Sequence, residues 1–475
     1  MKISVSKSVD NFKGLVLVPV FESEDGLTLP EVISGKQVSK RLFEGKKDTQ
    51  YTFEDGEKII VLLGLGTETN YKSIKNSFRR ISSKQQDLFH QKVLLFAEGL
   101  SDYDLLEGAI SGLILGTYRM GHYKSDSADG IMDWKKVQLF IQSSLKNATN
   151  IIDRAEKIAD SQLRTFELVD LPPNKITPEY LADWAKEMGK KLGLEVKVWN
   201  RAKAEKENLH AFLAVGQGSR REPQFIVLKY RHKNAKKHLG LVGKGVTFDT
   251  GGLNIKTQGM VHMKSDMAGA AAVLGAVRLI ADLGLEANVT AVVPCVENAV
   301  DAQSFLPSDV INSYSGKTIE IIDTDAEGRL ILADALSYLV KNHEPDTLID
   351  FATLTGSVIG TFGFECAGLF TKNESLSQSL QQCGDYIGER LWPLPMWDSY
   401  QSEMDSEIAD IKNFHGKPYA GAITAAKFLE FFTDKHQSWA HIDIAGTAFG
   451  DSEFSKTKHA TAYGVHLILK FIENL

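Results

Sequence analysis

The sequence predicts an α/β protein of two domains: a smaller N-terminal α/β domain, and a larger C-terminal domain with a mostly parallel central sheet flanked by helices. Three observations support this prediction. The chain has 475 residues, and a domain averages roughly 150 residues. Short apolar runs alternate with longer amphipathic segments, as they do in α/β folds. A polar segment followed by two prolines interrupts that alternation once, which marks a domain boundary.

The first third of the chain contains three apolar runs that predict strands of a domain spanning residues 1–150. The first run, Gly14–Phe21, is too short for a transmembrane helix and contains Pro19, so we interpret it as a strand rather than a signal peptide. Two amphipathic segments predict helices. The predicted strands read GLVLVPVF, EKIIVLLGLG and QKVLLFAEGL, and the predicted helices read YKSIKNSFRRISSKQQDLF and DLLEGAISGLILGTYRMGHY.

Residues 151–169 predict a connecting helix, because this polar stretch contains no helix breaker before Pro172 and Pro173. A second domain is therefore predicted over residues 170–475. Its strand–loop–helix units are typical of a parallel sheet with helices on both faces, where sites lie beyond the carboxyl ends of the strands. The predicted strands read GLVGKGVTFD, NVTAVVPCVENA, TIEIID and PDTLIDFATLTGS, and the predicted helices read AGAAAVLGAVRLIADLGL and EGRLILADALSYLVKNH.

The composition is that of an ordinary globular protein, with 43% hydrophobic and 24% charged residues. A formal net charge of −7 argues against a dedicated nucleic-acid binder, because such proteins carry extensive basic surface. The three cysteines form no CxxC pair, and their odd number favours a reducing compartment. We therefore expect a cytoplasmic protein that binds neither a membrane nor nucleic acid.

Acidic residues cluster at three places in the second domain. Asp249 ends the strand GLVGKGVTFD, Asp266 directly precedes a helix, and Asp325 and Glu327 open the stretch DAEGRLILADA. If these loops share one edge of the sheet, four carboxylates converge there. Four buried negative charges need about four positive charges, which two divalent cations would supply. Because paired metals are a standard hydrolytic device, these acids are predicted metal ligands.

Three basic residues accompany the acids. Lys244 lies between two glycines, and a lysine among carboxylates and metals can lose its proton and bind metal through neutral nitrogen. Lys256 would keep its charge and polarise a substrate carbonyl. Arg329, one turn into its helix, would hold an anion near the reacting centre. The N-terminus of that helix adds positive potential at the same place.

Each of these residues also has a purely structural interpretation, and only the ensemble favours a metal site. Asp266, Asp325 or Glu327 alone would be read as an acid that stabilises a helix N-terminus. Nucleotide-binding motifs are incomplete, because Phe248 stands where a dinucleotide loop needs its third glycine and Ile311 where a phosphate loop needs its first.

The segments that carry the cluster closely resemble the leucyl aminopeptidase (cytosol aminopeptidase) family. They read VGKGVTFDTGGLNIK, MKSDMAGAAAVLGA, DTDAEGRLILADAL and DFATLTGS, and the tail segments YAGAITAAKFLEFF and WAHIDIAGTAF fit the same pattern. TDAEGRL is very specific to the family, and the resemblance covers essentially all of residues 170–475. It implies a catalytic domain there, in a dinuclear-metal exopeptidase that releases unblocked N-terminal residues, leucine-like ones preferred, from peptides.

The resemblance also implies a set of metal ligands. One metal would be held by Asp249, Asp325 and Glu327, with Asp325 using both its side chain and its backbone carbonyl. The other metal would be held by Lys244, Asp249, Asp266 and Glu327. Asp249 and Glu327 would therefore bridge the two metals, which share an activated water.

Lys256 and Arg329 match the two catalytic positions of the family. Lys256 would stabilise the oxyanion, and Arg329 would hold a bicarbonate ion that acts as general base on the bridging water. The free α-amino group of the substrate would bind one metal, which explains exopeptidase action. The family's substrate-binding positions are matched by Met263, Thr353, Leu354 and Gly356.

The implied cofactors are two divalent metals per chain, zinc or manganese with magnesium or cobalt as alternatives, and the implied assembly is a homohexamer. Two rival functions belong to other classes. A DNA-binding or regulatory role is disfavoured by the acidic balance, and a catalytically dead scaffold by the complete set of metal and catalytic positions. Asp323 departs from the family, which usually has asparagine there; this acid would raise metal affinity, change metal preference, or be protonated or paired.

Overall fold

The structure is a computed structural model that describes residues 1–6, 12–23, 27–31, 33–89, 91–120, 123–125, 133–450 and 453–475. The chain forms two compact units: Met1–Leu163 with Tyr386–Gly388, and Arg164–Asp385 with Glu389–Leu475. The first boundary falls inside a helix, Ala148–Asp170, which contains the predicted connecting segment 151–169. None of the helices in the described ranges has the length and apolar character needed to cross a bilayer.

The N-terminal part of the chain forms a sheet that is covered by helices. Its strands are β1 (Lys2–Val5), β2 (Gly14–Phe21), β3 (Leu27–Thr28), β4 (Gln37–Val38), β5 (Gln50–Asp55), β6 (Lys58–Gly66), β7 (Lys92–Phe96) and β8 (Gln138–Gln142), and its helices are α1 (Tyr71–Lys84), α2 (Tyr103–Leu115) and α3 (Ala148–Asp170). Six strands form a mostly parallel sheet in the order β1-β8-β7-β2-β6-β5. Hydrophobic clusters cover both faces, which explains why the runs of β2 and β6 are apolar without alternation.

The helix predicted over residues 104–123 is shorter than the sequence pattern indicated. It ends at Leu115, because Gly116 caps it and the Thr117 hydroxyl donates a hydrogen bond to a carbonyl in the last turn, at 2.7 Å. Residues 121–122 of that prediction lie outside the described part of the chain.

The rest of the chain supplies a larger sheet and its helices. The strands are β9 (Glu195–Trp199), β10 (Gln224–Tyr230), β11 (His238–Gly243), β12 (Gly245–Asp249), β13 (Asn288–Asn298), β14 (Val310–Asn312), β15 (Thr318–Glu320), β16 (Thr347–Ala352), β17 (Ala367–Phe370), β18 (Leu391–Pro393), β19 (Ile411–Lys412), β20 (Trp439–Asp443), β21 (Phe449–Gly450) and β22 (His459–Ala460). The helices are α4 (Pro178–Leu192), α5 (Arg201–Lys206), α6 (His210–Gly216), α7 (Ala268–Leu283), α8 (Gly328–His343), α9 (Gly356–Phe362), α10 (Glu374–Ile387), α11 (Gly421–Phe431) and α12 (Val465–Glu473).

The large sheet has the order β18-β17-β20-β16-β11-β13-β10-β9, with β12 also paired to β13. Its centre, from β20 to β13, is parallel, and antiparallel pairs flank that centre on both sides. Helix α7 packs on one face with α4 and α12, and α8 packs on the other with α6 and α11. This is the helix-flanked, mostly parallel sheet that the sequence predicts.

The segment GLVGKGVTFD forms two strands, where the sequence predicted one. Strand β11 ends at Gly243, and β12 begins at Gly245. At the break, the Lys244 N–H donates to the Phe351 carbonyl at 3.0 Å, and the Lys244 carbonyl accepts from the Ala270 N–H at 2.9 Å. The break therefore ties Lys244 to the end of β16 and to the start of α7, at the carboxyl edge of the sheet.

Candidate metal centre

Three loops converge at the carboxyl edge of the large sheet. Asp249 ends β12, Asp266 lies between a short 3₁₀ helix (Met260–Ser265) and α7, and Asp325 and Glu327 directly precede α8. Oxygen atoms of Asp249, Asp325 and Glu327 all lie within 4.8 Å of one another. The sheet topology thus brings predicted ligands from distant parts of the sequence into one small volume.

Lys244 links Asp266 to the other acids. Its Nζ lies 2.8 Å from Asp266 Oδ1 and 2.9 Å from Glu327 Oε1, and it donates to the Thr353 carbonyl at 2.9 Å. The side chain is buried beneath the first turn of α8. A Cβ on Gly328 would lie 2.4 Å from Lys244 Cε, so glycine at this position lets the lysine keep these contacts without moving.

Lys256 joins the other two carboxylates. Its Nζ lies 2.9 Å from Asp249 Oδ2 and 2.6 Å from Asp325 Oδ1. The loop that delivers it turns at Gly251, which has a φ of 87° and whose added Cβ would lie 2.5 Å from the Asn254 carbonyl oxygen. A left-handed glycine is therefore needed to bring Lys256 over the acids.

These six side chains form what we call the acidic cluster: Lys244, Asp249, Lys256, Asp266, Asp325 and Glu327. Burial and then the charge of Glu327 raise the pKa of Asp325 to about 7. Burial works to lower the pKa of both lysines, but the surrounding carboxylates outweigh it and raise both values, so both lysines carry a proton. The acidic cluster contains four acidic side chains and two lysines, so acidic groups outnumber basic ones.

The donor set of the acidic cluster fits divalent metal ions. Burial raises the pKa of Asp266 well above its usual range, and its buried Oδ2 receives no hydrogen bond from any of the described residues. A buried carboxylate oxygen without a hydrogen bond would be stabilised by a nearby cation. Clustered carboxylate oxygens are also the ligands that hard divalent ions prefer. The predicted role of Lys244 as a ligand requires loss of its proton, which the charge of a nearby metal ion favours.

Arg329 lies in the first turn of α8, beside the acidic cluster, and is buried. Its Nη1 donates to the Asn413 carbonyl at 2.7 Å, and within the described part of the chain its buried Nε has no hydrogen-bond partner. Burial lowers its pKa to about 10, opposed by the charges of Glu327 and Asp323. The guanidinium therefore stays charged at neutral pH and keeps a donor available for an anion.

The predicted substrate-binding residues lie on two segments next to the acidic cluster. The Thr353 hydroxyl donates to Asp266 Oδ1 at 2.9 Å, which places it in direct contact with a predicted ligand. The Leu354 N–H donates to Asp443 Oδ1 at 3.1 Å. Gly356 opens α9, and a Cβ added there would meet no atom of the described ranges within 4 Å. Met263 lies in the 3₁₀ helix that precedes Asp266.

Asn298 is a functional candidate that the sequence analysis did not identify. Its Nδ2 donates to Asp249 Oδ1 at 2.8 Å and to the Thr324 carbonyl at 3.1 Å, and the residue is buried. It thereby orients one predicted ligand and ties it to the loop that carries Asp325. In the sequence it lies near the end of the predicted strand NVTAVVPCVENA, and only the structure places it opposite Asp249 in the parallel pair.

Asp323, which departs from the family pattern, is paired with the backbone. Its Oδ1 accepts the Asp325 N–H at 2.8 Å, in a short turn before α8. The sequence left open whether Asp323 raises metal affinity, changes metal preference, or is protonated or paired. This contact favours a paired Asp323 carboxylate. An asparagine can make the same bond through its carbonyl oxygen, so the substitution leaves the turn intact and adds a negative charge.

Asp334, five residues after Arg329 on α8, gives a testable pH dependence of stability. It is fully buried and accepts the N–H groups of Phe212 at 2.9 Å and Tyr314 at 2.7 Å. Burial raises its pKa from 3.8 to about 7, although these bonds oppose the shift. The folded state therefore binds the proton more tightly, and stability falls as pH rises from about 4 to about 7, by at most about 1.4 kcal/mol per pH unit.

We expect Asp334→Asn to lack this dependence, because asparagine does not titrate. The difference in unfolding free energy between wild type and variant should decrease between about pH 5 and about pH 7. Urea unfolding of both proteins across this range measures it. A difference that stays constant with pH would contradict the raised pKa.

Known proteins resemble this chain over most of its length. The model of the cytosol aminopeptidase family, catalytic domain, matches residues 164–469. A probable cytosol aminopeptidase of Chlorobaculum tepidum is 40% identical over 433 residues, covering 87% of this chain and 86% of that protein. One from Chloroherpeton thalassium is 36% identical and covers 100% of both chains. The solved structure of the bottromycin maturation enzyme BotP in complex with Mn has a TM-score of 0.86 and 26% identity, covering 98% of this chain and 99% of that one.

Proposed function

This chain belongs to the cytosol aminopeptidase family, whose members are metal-dependent aminopeptidases, and from that premise we propose that it releases unblocked N-terminal residues from peptides by two-metal activation of a bridging water. Leucine-like residues would be preferred. The observation that carries the proposal is the acidic cluster, where oxygens of Asp249, Asp325 and Glu327 lie within 4.8 Å of one another at the carboxyl edge of the sheet.

The acidic cluster offers ligands for two ions. Asp249, Asp325 and Glu327 would hold one ion, with Asp325 contributing its backbone carbonyl as well. The second ion would be held by Lys244, Asp249, Asp266 and Glu327. Bound divalent ions would supply Lewis-acid polarisation of the scissile carbonyl and a water of lowered pKa.

Lys256 would stabilise negative charge on the substrate carbonyl oxygen. Its raised pKa keeps it protonated, and its Nζ already lies among the predicted ligands, 2.6 Å from Asp325 Oδ1. Because the side chain is half-buried, its charge is only partly screened by water, which strengthens its interaction with a developing oxyanion.

Arg329 would bind bicarbonate, the ion to which the family resemblance assigns the role of general base. No residue that the structure describes accepts a hydrogen bond from its buried Nε, while Nη1 donates to the Asn413 carbonyl. A guanidinium held on one side and open on another presents donors in a fixed direction, as anion recognition requires.

The selectivity for a free N-terminus would follow from metal binding. The free α-amino group would donate its lone pair to one ion, whereas the nitrogen of an acetylated terminus is an amide whose lone pair is delocalised and does not bind metal well. Thr353 lies against Asp266, and the open space beside Gly356 leaves room for a substrate side chain. With Met263, these groups would form the first side-chain pocket, and the Leu354 carbonyl would hold the substrate.

We expect metal-stripped protein to be inactive on leucine p-nitroanilide, and to regain activity when one metal is restored. Zinc, manganese, magnesium and cobalt are added singly, starting with manganese because the BotP structure contains it. The N-acetylated substrate is the control, and it should stay intact with every metal. Cleavage of the acetylated substrate at a similar rate, or activity that persists without metal, would overturn the proposal.

A homohexamer and a cytoplasmic location complete the proposal, and both are supported by the family resemblance. Light scattering after size-exclusion chromatography tests the assembly. A mass near six times the 52.5 kDa chain mass would agree with it, and a monomer mass would not.

A further inference from the structure

Asn413, the residue after β19, contacts four backbone groups of the loop that carries the predicted ligands. Its Oδ1 accepts the N–H groups of Ile322 at 2.8 Å and Asp323 at 3.2 Å. Its Nδ2 donates to the carbonyl of Asp323 at 2.6 Å and to that of Ala326 at 3.3 Å. The side chain is 0% exposed, so no solvent competes for these bonds.

An amide is the side chain that suits this position. It presents two acceptor sites on oxygen and two donors on nitrogen, and all four are used here. Neither a carboxylate, which only accepts, nor an apolar side chain can satisfy both the N–H and the C=O groups. Since a buried backbone group without a partner is costly, loss of the amide would let the loop from Ile322 to Ala326 shift.

The backbone of Asn413 holds the candidate catalytic arginine at the same time. Its carbonyl accepts from Arg329 Nη1 at 2.7 Å, and its N–H donates to the Glu320 carbonyl at 2.9 Å, which extends the pairing of β19 with β15. One residue therefore connects the strand before the loop, the loop itself and the guanidinium after it.

We propose that Asn413 is a positioning residue, which fixes the loop bearing Asp325 and Glu327 relative to the Arg329 guanidinium. The inference rests on the proposed function. It assigns a role in the proposed site to a residue that lies 84 positions from Arg329 in the sequence. The hydrogen bonds given above for the Asn413 side chain all go to the backbone of the ligand loop. Asn413 acts by holding two ligands and one anion-binding group at a constant separation.

Two variants test this role. Asn413→Asp keeps the shape and both accepted bonds, but it turns both donated bonds into contacts between oxygen lone pairs. Asn413→Ala removes all four bonds and leaves the backbone contact with Arg329. We expect both variants to lose roughly 10- to 100-fold in kcat/KM, chiefly through kcat, and to lose a similar factor in zinc affinity, because groups that orient metal ligands have effects of this size.

Three measurements distinguish positioning from a general structural role. Zinc affinity of metal-stripped protein is measured against a competing chelator, kcat and KM are measured separately, and activity is followed against added bicarbonate. Both variants should need more bicarbonate for half-maximal activity, because the released loop would let the first turn of α8, which carries Arg329, shift relative to the Asn413 carbonyl. All assays are run well below the unfolding midpoint of each variant.

Asp334→Asn is the matched control, because Asp334 is also fully buried and also accepts backbone N–H groups, but those groups belong to Phe212 and Tyr314. It should lower the unfolding midpoint without changing zinc affinity or kcat. Wild-type zinc affinity and wild-type kcat in both Asn413 variants would overturn the inference and leave the proposed function standing. If wild type itself proves inactive, the proposed function fails, and weaker zinc binding by the Asn413 variants still decides the positioning role.

Discussion

Glu327→Ala should lower kcat/KM at least about 1,000-fold, which is about 4 kcal/mol of transition-state stabilisation, and should sharply reduce the metal retained after dialysis. Glu327 is 1% exposed, and its Oε1 lies 2.9 Å from Lys244 Nζ, between the two groups of predicted ligands. As the proposed bridging ligand, it would serve both ions, so its loss affects both. Asp325→Ala removes a ligand of one ion, and we expect it to cause a similar loss of turnover.

The metal content of purified variants, measured by mass spectrometry of the metals, and kcat/KM with leucine p-nitroanilide check this prediction together. Added metal should raise the unfolding midpoint of wild type far more than that of Glu327→Ala, because a ligand stabilises only a state that binds it. Glu320→Ala is the control: Glu320 precedes the same loop, but its carboxylate contacts Ser406 instead of the acidic cluster. A Glu327→Ala protein with full metal content and full activity would remove the basis for the assignment.

The second large effect is expected from Lys256→Ala, which should lower kcat roughly 100- to 1,000-fold, as loss of an oxyanion donor does. Metal content should stay normal or rise. The reason is that Lys256 Nζ lies within 2.9 Å of Asp249 and Asp325 oxygens, where it competes with a cation for the same carboxylates. Removing the ammonium therefore weakens catalysis while making the acidic cluster more attractive to metal.

Metal analysis of Lys256→Ala beside its kinetics separates this role from simple assembly of the site. Lys317→Ala serves as control, since Lys317 pairs with exposed Asp410 and should have no effect on turnover. Unchanged kcat in Lys256→Ala would refute the assigned role. Loss of metal together with activity would instead make Lys256 part of the framework that holds the ligands.

Much of the fold follows from local patterns in the sequence. The predicted strand GLVLVPVF corresponds to β2, Gly14–Phe21, and the helix after the DAEG stretch corresponds to α8, Gly328–His343. Both are long apolar or periodic segments bounded by turn residues, where local preference and burial agree. Predictions were wrong where a tertiary contact overrode that preference, as at Lys244, whose backbone bonds to Phe351 and Ala270 divide one apolar run into two strands.

The candidate site shows the same contrast. The sequence identified the acids and lysines as candidates, because four carboxylates and two lysines occur together in the segments TFDTGGLNIK, MKSDMAG and DAEGRL and beside them, although each acid alone has an ordinary structural explanation. It predicted nothing about Asn413, an ordinary polar residue in a loop, although that side chain makes four hydrogen bonds to the ligand loop. Asn298 was equally inconspicuous, although it lies opposite Asp249 and bonds to it.

The sequence by itself determined the fold class, the family and the chemical types that converge on the acidic cluster, because hydrophobic periodicity and charge are properties of short segments. Only the tertiary structure decided which atoms meet: Lys244 with Asp266 and Glu327, Lys256 with Asp249 and Asp325. These partners come from separate strand ends, and their distances depend on the order and register of the strands beneath them. A hydrogen bond or an ion pair depends on tenths of an ångström, and no local pattern encodes a distance between segments that the sheet alone brings together.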